Sequence, residues 1–363
     1  MSFQQEQRVK IHSLTSIRLF CTLQVVVHHL NLVHYTSDPL ISFIDRYILH
    51  TGRGVVSFFF FLSGFVICYS SRHWSGWKSY LIRRSSRVFP NHWIISLTIA
   101  GFTFVVPLLQ GEDLFHYIRK VILNLALLQS YVPDIGVNFS FNGVAWTLSL
   151  ELSFYLFFLL IRRLTTGRIF FLFLVLYGTK LLLETIWVLF NIKYLAHWLF
   201  FICPIFRLPE FLLGVLMCRV YCKDSQVFIW FRVDPIAIII LTILTIGVCR
   251  YYFPSDAIYL YSTVPSFFGF LLLLSCLGKE NNKSNYLSNK ILLFLGDASF
   301  SIYLIHQPIF NGARRLSQKF GVTMSVSLML AVALFSLVVA VGYFFFIERK
   351  VYERSVKFLD KLF

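Results

Sequence analysis

Ten apolar runs, most of them long enough to cross a bilayer, leave this chain little to become except a bundle of membrane helices. They fall at about 13–35, 54–71, 91–110, 146–162, 168–189, 208–222, 234–250, 258–278, 291–311 and 323–347 of the 363 residues. The sixth is short, and the preceding YLAHWLFFICPIF either extends it or forms a separate re-entrant piece. Only 14% of the residues are charged, against about 25% in soluble domains. The chain therefore reads as an all-α integral membrane protein, a polytopic bundle of about ten transmembrane helices. Its polar start, MSFQQEQRVK, and the length of the first run argue against a cleavable signal.

Orientation follows from the basic residues. With the N-terminus inside, the cytoplasmic segments hold 21 of the 33 Lys and Arg, the outer segments hold 10, and Arg18 and Lys180 lie within spans. Both termini are thus expected in the cytoplasm, with the outer Arg314, Arg315 and Lys319 as the main dissent. The net charge of +16 points to the membrane surface or an anionic ligand. Nucleic acid is excluded because no soluble basic domain exists to hold it. The seven cysteines lie mostly in apolar segments without paired metal-ligand spacing, so they read as core residues and no metal is expected. No repeat or low-complexity tract is visible. The only sizeable outer loop, 111–145, has an amphipathic part suited to lying on the membrane or folding back over the bundle.

The first run, SLTSIRLFCTLQVVVHHLNLVHY, carries Arg18, His28 and His29. Arg18 and His29 are eleven residues apart, which is about 20° past three helical turns and about 16 Å along the axis. Both side chains therefore share one face at two depths of a membrane, an expensive arrangement that points to function. A basic cytoplasmic loop at 72–90 follows the second span. In it Arg83, Arg84 and Arg87 precede Pro90, which is expected to open the third span. Guanidinium forks suit phosphates, although anchoring to anionic lipid explains such a cluster equally simply. With Arg18 on the same side, they suggest a channel that starts at a basic mouth.

A second set, His29, Glu151 and His306, is expected in the outer third of the bilayer. A carboxylate orienting an imidazole that takes a proton from a hydroxyl is a general-base arrangement. Each residue alone could equally be a buried hydrogen-bonding group. Tyr303 reads as packing, Asp297 and Ser301 as hydrogen bonders within the bundle, and Gly64 as a site of close helix contact. Arg207 with Glu210 and Lys180 with Glu184 read as structural pairs within one helix.

At these residues the chain resembles membrane-bound acyltransferase family 3, the integral-membrane O-acyltransferases of bacterial surface polysaccharides. LTSIRLFCTLQVVVHH resembles the family's Arg-ten-residues-His opening and maps its essential histidine onto His29, not His28. SFFFFLSGFVI, RRSSRVFP, NGVAWTLSLELSFYLF, RLPEFLLGVL, LGDASFSIYLIHQPI and FIERKV resemble the later signatures, in order. These map onto Glu151, Arg207, Glu210, Ser301, Tyr303 and His306. The chain departs at Leu19, where many members have Gly, and at Leu152, where many have a second acid. A C-terminal esterase-like domain is not expected, so the resemblance is to the stand-alone type, with one acyltransferase domain over 1–363.

The resemblance implies acyl-CoA, most often acetyl-CoA, as a donor substrate from the cytoplasm, and no permanently bound cofactor. It implies a glycan or lipid-linked oligosaccharide acceptor, in the inner membrane of a bacterial cell, with polysaccharide-export machinery or a homo-oligomer as conceivable assemblies. Arg18, Arg83, Arg84 and Arg87 would then hold the donor, and His29, Glu151 and His306 would carry the chemistry. Two rival classes are a transporter or flippase that uses the same intramembrane groups and a non-catalytic partner in an export assembly. Against the transporter, the halves show no hydropathy repeat.

Overall fold

The computed structural model describes residues 11–72, 76–104, 111, 113–190, 192, 195–231, 233–252, 263–280 and 286–362. Outside them lie Arg8, Lys10, Lys193, Arg232 and Lys283 of the charge count, residues 73–75 of the basic loop, and the ends 105–110 and 258–262 of two expected spans. Every regular element among the described residues is helical. In chain order these are α1 His12–His28, α2 Pro39–Tyr47, α3 Arg53–Ser71, α4 Trp77–Thr103, α5 Leu114–Leu125, α6 Ile135–Asn138, α7 Trp146–Ile161 and α8 Thr166–Leu189. There follow α9 Pro204–Lys223, α10 Pro235–Tyr252, α11 Thr263–Glu280, α12 Lys290–Asp297, α13 Ser299–Phe320, α14 Val326–Tyr343 and α15 Arg349–Leu362.

Among the described residues, five helical stretches are long and apolar enough to cross a membrane: Pro39–Ser71, Thr166–Leu189, Trp198–Lys223, Pro235–Tyr252 and Val326–Lys361. The outward faces of α8 and α14 carry exposed Phe170, Phe171, Leu182, Leu334, Phe335 and Val338. Such continuous apolar surface belongs against lipid. Two boundaries differ from expectation. The first run is helical only to His28, because Asn31 takes a left-handed conformation (φ 51°) and turns the chain into a short 3-10 segment. The basic stretch is not a loop, since α4 is helical from Trp77 and carries all three arginines with Pro90 in its interior.

Close backbone contact sets the crossing of α3 and α9. A Cβ on Gly64 would stand 2.0 Å from the Phe211 carbonyl oxygen, and one on Gly214 would stand 2.0 Å from that of Phe61. Beside this crossing lies a buried ionic cluster. Arg207 Nη1 is 2.7 Å from Glu210 Oε1, Lys180 Nζ is 3.7 Å from the same oxygen, and Glu184 is fully buried on α8. Arg207 Nε also donates to the Phe201 carbonyl at 3.0 Å. Lys180 thus reaches across to α9 while the Glu184 charge of its own helix also acts on it, and it fixes an otherwise lipid-facing helix to the bundle. Glu210→Ala leaves two buried cations with one carboxylate. It is expected to cost about 3–5 kcal/mol, read as a lowered Tm in detergent; an unchanged Tm contradicts this.

The two ends of α1 are held differently. At its start Glu280 of α11 accepts the His12 and Ser13 amides, each at 2.9 Å, capping otherwise unpaired donors with a negative charge. At its end the carbonyls of His29 and Leu30 accept from Arg314 Nη2 at 2.8 and 3.0 Å. The segment between α4 and α7 folds back over the bundle. Its Asn142 Nδ2 donates to the Leu304 carbonyl at 2.9 Å, the acceptor left without a partner because Pro308 has no N–H to return to it.

Candidate active site

The eleven-residue step from Arg18 to His29 meets one partner surface, the α12–α13 arm. Arg18 Nη2 lies 3.4 Å from the Gly296 carbonyl and 3.9 Å from Asp297 Oδ1. His29, the residue that caps α1, has Nδ1 3.0 Å from His306 Nε2. His28, one residue earlier, is buried and packs its ring on His50 at 3.9 Å. The helical phase therefore separates the two neighbouring histidines, and only His29 faces His306.

The hydrogen bonds assign the tautomers. His306 Nδ1 is 3.0 Å from the Ile302 carbonyl, which can only accept, so that nitrogen carries the proton. His306 Nε2 is then the acceptor in the 3.0 Å contact, and His29 Nδ1 is its donor. The remaining nitrogen, His29 Nε2, keeps its lone pair, as a base requires. His306 is buried and His29 half-buried.

Arg18, Arg84, Arg87 and Glu151 line one cavity of about 120 Å³. Its walls run on α3 from Ile67 back to Val56 and on α7 from Tyr155 back to Thr147, about 12–16 Å at helical rise. It leads from the arginine end toward the histidine pair and reaches Tyr303, one turn before His306. Arg84 Nη2 donates to Ser70 Oγ at 2.7 Å, and its guanidinium lies 5.8 Å from the Tyr155 ring. Buried Arg18 Nε has no hydrogen-bond partner among the described residues. Arg83 is turned away, with Nε donating to Ser79 Oγ on its own helix at 3.4 Å.

Glu151 shares the cavity wall with the arginines. Its Oε2 accepts from Tyr155 Oη at 3.0 Å, and the charges that act on it are Arg87, Arg84 and Arg18. It belongs to the arginine end of the cavity, and among the described residues the side-chain hydrogen-bond partner of the His29 ring is His306. Three residues that sequence reasoning missed complete the picture. Glu348, in a π-helical turn at Phe344–Glu348, accepts from Ser301 Oγ within electrostatic reach of Arg87 and Arg18. Its signal was an acid inside an apolar run, in the quoted FIERKV. Arg314 clamps the carbonyls at His29, and its Nε lies 2.6 Å from Tyr35 Oη; loop charge counting treats such a residue only as a topological misfit. Asn142 supports the α13 backbone two residues before His306, which no local pattern reveals.

A family model described as an acyltransferase domain matches residues 11–347. The chain is 26% identical over 329 residues to the acyltransferase MdmB of Streptomyces mycarofaciens, covering 85% of this chain and 81% of that protein. It is 25% identical over 293 residues to a putative acetyltransferase, ORF330, of Acidianus two-tailed virus, covering 81% of each. It is 32% identical over 152 residues to nodulation protein 10 of Rhizobium leguminosarum bv. viciae, covering 39% of this chain and 41% of that one. No solved structure matches.

Proposed function

The chain belongs to this acyltransferase family, and we propose that it moves an acyl group, in the simplest case acetyl, from cytoplasmic acyl-CoA to a hydroxyl of a cell-surface or lipid-linked glycan. The relatives named for acyl and acetyl transfer support the reaction class. The observation that carries the mechanism is the 3.0 Å contact between His29 and His306, which leaves His29 Nε2 basic, with His306 packed against Tyr303 in the wall of an arginine-lined cavity. The proposed setting is a bundle of about ten spans in the inner membrane with both termini cytoplasmic. Acyl-CoA enters from the Arg84 side.

Arg84, Arg87 and Arg18 hold the phosphates, and the narrow pantetheine arm runs along α1 and α3. His29 Nε2 takes the acceptor proton as the hydroxyl oxygen attacks the thioester carbonyl. The C–S bond then breaks, an ester C–O bond remains, and the imidazolium returns the proton to the departing sulfur. His306 fixes the ring and shares the positive charge through its hydrogen bond. Glu151 and Glu348 act as counter-charges that hold the guanidiniums apart and oriented in the absence of donor. The buried ionic groups thus form an uptake site for an anion rather than a conducting path.

The test is purified protein in proteoliposomes given labelled acetyl-CoA and a deacetylated surface glycan. Label is expected in the glycan, and His306→Ala is expected to lower the rate about 10²-fold; label that stays in acetyl-CoA overturns the proposal. Arg314→Gln removes two charge-assisted bonds that seat His29. It is expected to lower kcat about tenfold with the donor KM unchanged, and Arg314→Lys should recover part of the loss. A raised donor KM with unchanged kcat would contradict that role.

A further inference from the structure

We propose that Tyr303 divides the donor cavity from the histidine pair and sets the length of acyl group the enzyme accepts. This rests on the acyl-CoA reading above. Tyr303 lines the inner end of the cavity, and its ring centroid lies 6.2 Å, edge-on, from that of His306. On its other side it is 6.2 Å from the Phe59 ring, also in the cavity wall. A donor arriving from Arg84 and Arg87 therefore meets the Tyr303 ring before it meets the histidines.

The ring is pinned at both ends. Its backbone is in α13, one turn before His306. Its hydroxyl lies 3.1 Å from Thr147 Oγ1 and 3.4 Å from the Val144 carbonyl. Thr147 Oγ1 donates to that same carbonyl at 3.0 Å, so Tyr303 Oη is the donor toward Thr147. The hydroxyl thus ties α13 to the entrance of α7 across the cavity's end. A side chain held at two points is a fixed wall. With the ring in place the cavity ends at Tyr303, so each methylene added to an acyl group that passes it must displace the ring further.

The chemistry this selects is a short, unbranched acyl thioester. A pocket wall discriminates one methylene by roughly 10–200-fold, so butyryl-CoA is expected to be used at least 100-fold less efficiently than acetyl-CoA. Tyr303→Ala and Tyr303→Leu remove the wall and are expected to bring that ratio below about tenfold. Tyr303→Phe keeps the ring but frees its pinned end, and is expected to give a ratio between those of the unaltered enzyme and the Ala variant.

The experiment measures kcat/KM for acetyl-, propionyl- and butyryl-CoA with the unaltered enzyme and all three variants in proteoliposomes. Ratios for the Ala and Leu variants equal to the unaltered enzyme's overturn the filter alone. Loss of all transfer in both, with the proteins monodisperse and still protected thermally by acyl-CoA, also overturns it and makes Tyr303 a catalytic group instead. No transfer from any acyl-CoA by the unaltered enzyme overturns the donor reading, and the filter falls with it.

Discussion

Replacing His29 with alanine is expected to lower acyl transfer by a factor of about 10²–10⁴, the usual contribution of a positioned general base. The donor KM should stay unchanged, because the arginines proposed to hold the donor line the cavity, whereas His29 lies beyond its Tyr303 wall. The substitution is mild for the fold. His29 is half-buried at a helix end, its capping backbone bonds do not involve the side chain, and Arg314 grips its carbonyl, not its ring. Loss of activity together with an unchanged Tm is therefore the expected signature. Transfer within tenfold of normal would remove His29 from the chemistry.

Replacing Arg84 and Arg87 together by alanine is expected to raise the donor KM by about 10²–10⁴, with a rate partly recovered at high acyl-CoA. Hydrogen bonds to charged groups contribute about 1.5–3 kcal/mol each, which is roughly 10–150-fold per guanidinium at 1.4 kcal/mol per decade. The effect belongs to binding because these side chains sit about 12–16 Å from the cavity's inner end. Arg83→Ala is the control. Its side chain bonds along its own helix instead of lining the cavity, and less than a threefold change is expected. A loss confined to kcat in the double variant, with KM unmoved, would contradict a donor-binding role.

Much of the fold was legible because membrane helices announce themselves by length and apolarity, and the order of α3, α7, α8, α9, α10 and α14 follows the apolar runs. What hydropathy missed were the places where backbone geometry overrides composition. Asn31 ends α1 early through a left-handed turn inside an apolar run. Conversely, Arg83, Arg84 and Arg87 continue a helix that their charge suggested was a loop.

At the site, the phase of α1 was readable from spacing alone, since eleven residues bring Arg18 and His29 to one face and both meet the α12–α13 arm. The pairing with His306 was one of two options for orienting His29, Glu151 being the other. Expected depth groups Glu151 with the histidines, but among the described residues it meets Tyr155 and the cavity arginines, which spacing along one helix does not reveal. Arg314 and Asn142 escaped notice for a different reason. They act on backbone carbonyls that a helix end and Pro308 leave unpaired, and such acceptors exist only once the chain is folded.

The sidedness of the reaction in sealed proteoliposomes tests the account most directly. Labelled acetyl-CoA is supplied to one face and the deacetylated glycan to the other, in vesicles whose protein orientation is fixed by protease access to the C-terminal helix α15. Label is expected in the glycan only when the donor faces the Arg84 end, and not with His29→Ala. Equal transfer with the donor on either face, or transfer only with donor and glycan on the same face, would contradict a cavity that takes the donor at its arginines and delivers it to His29.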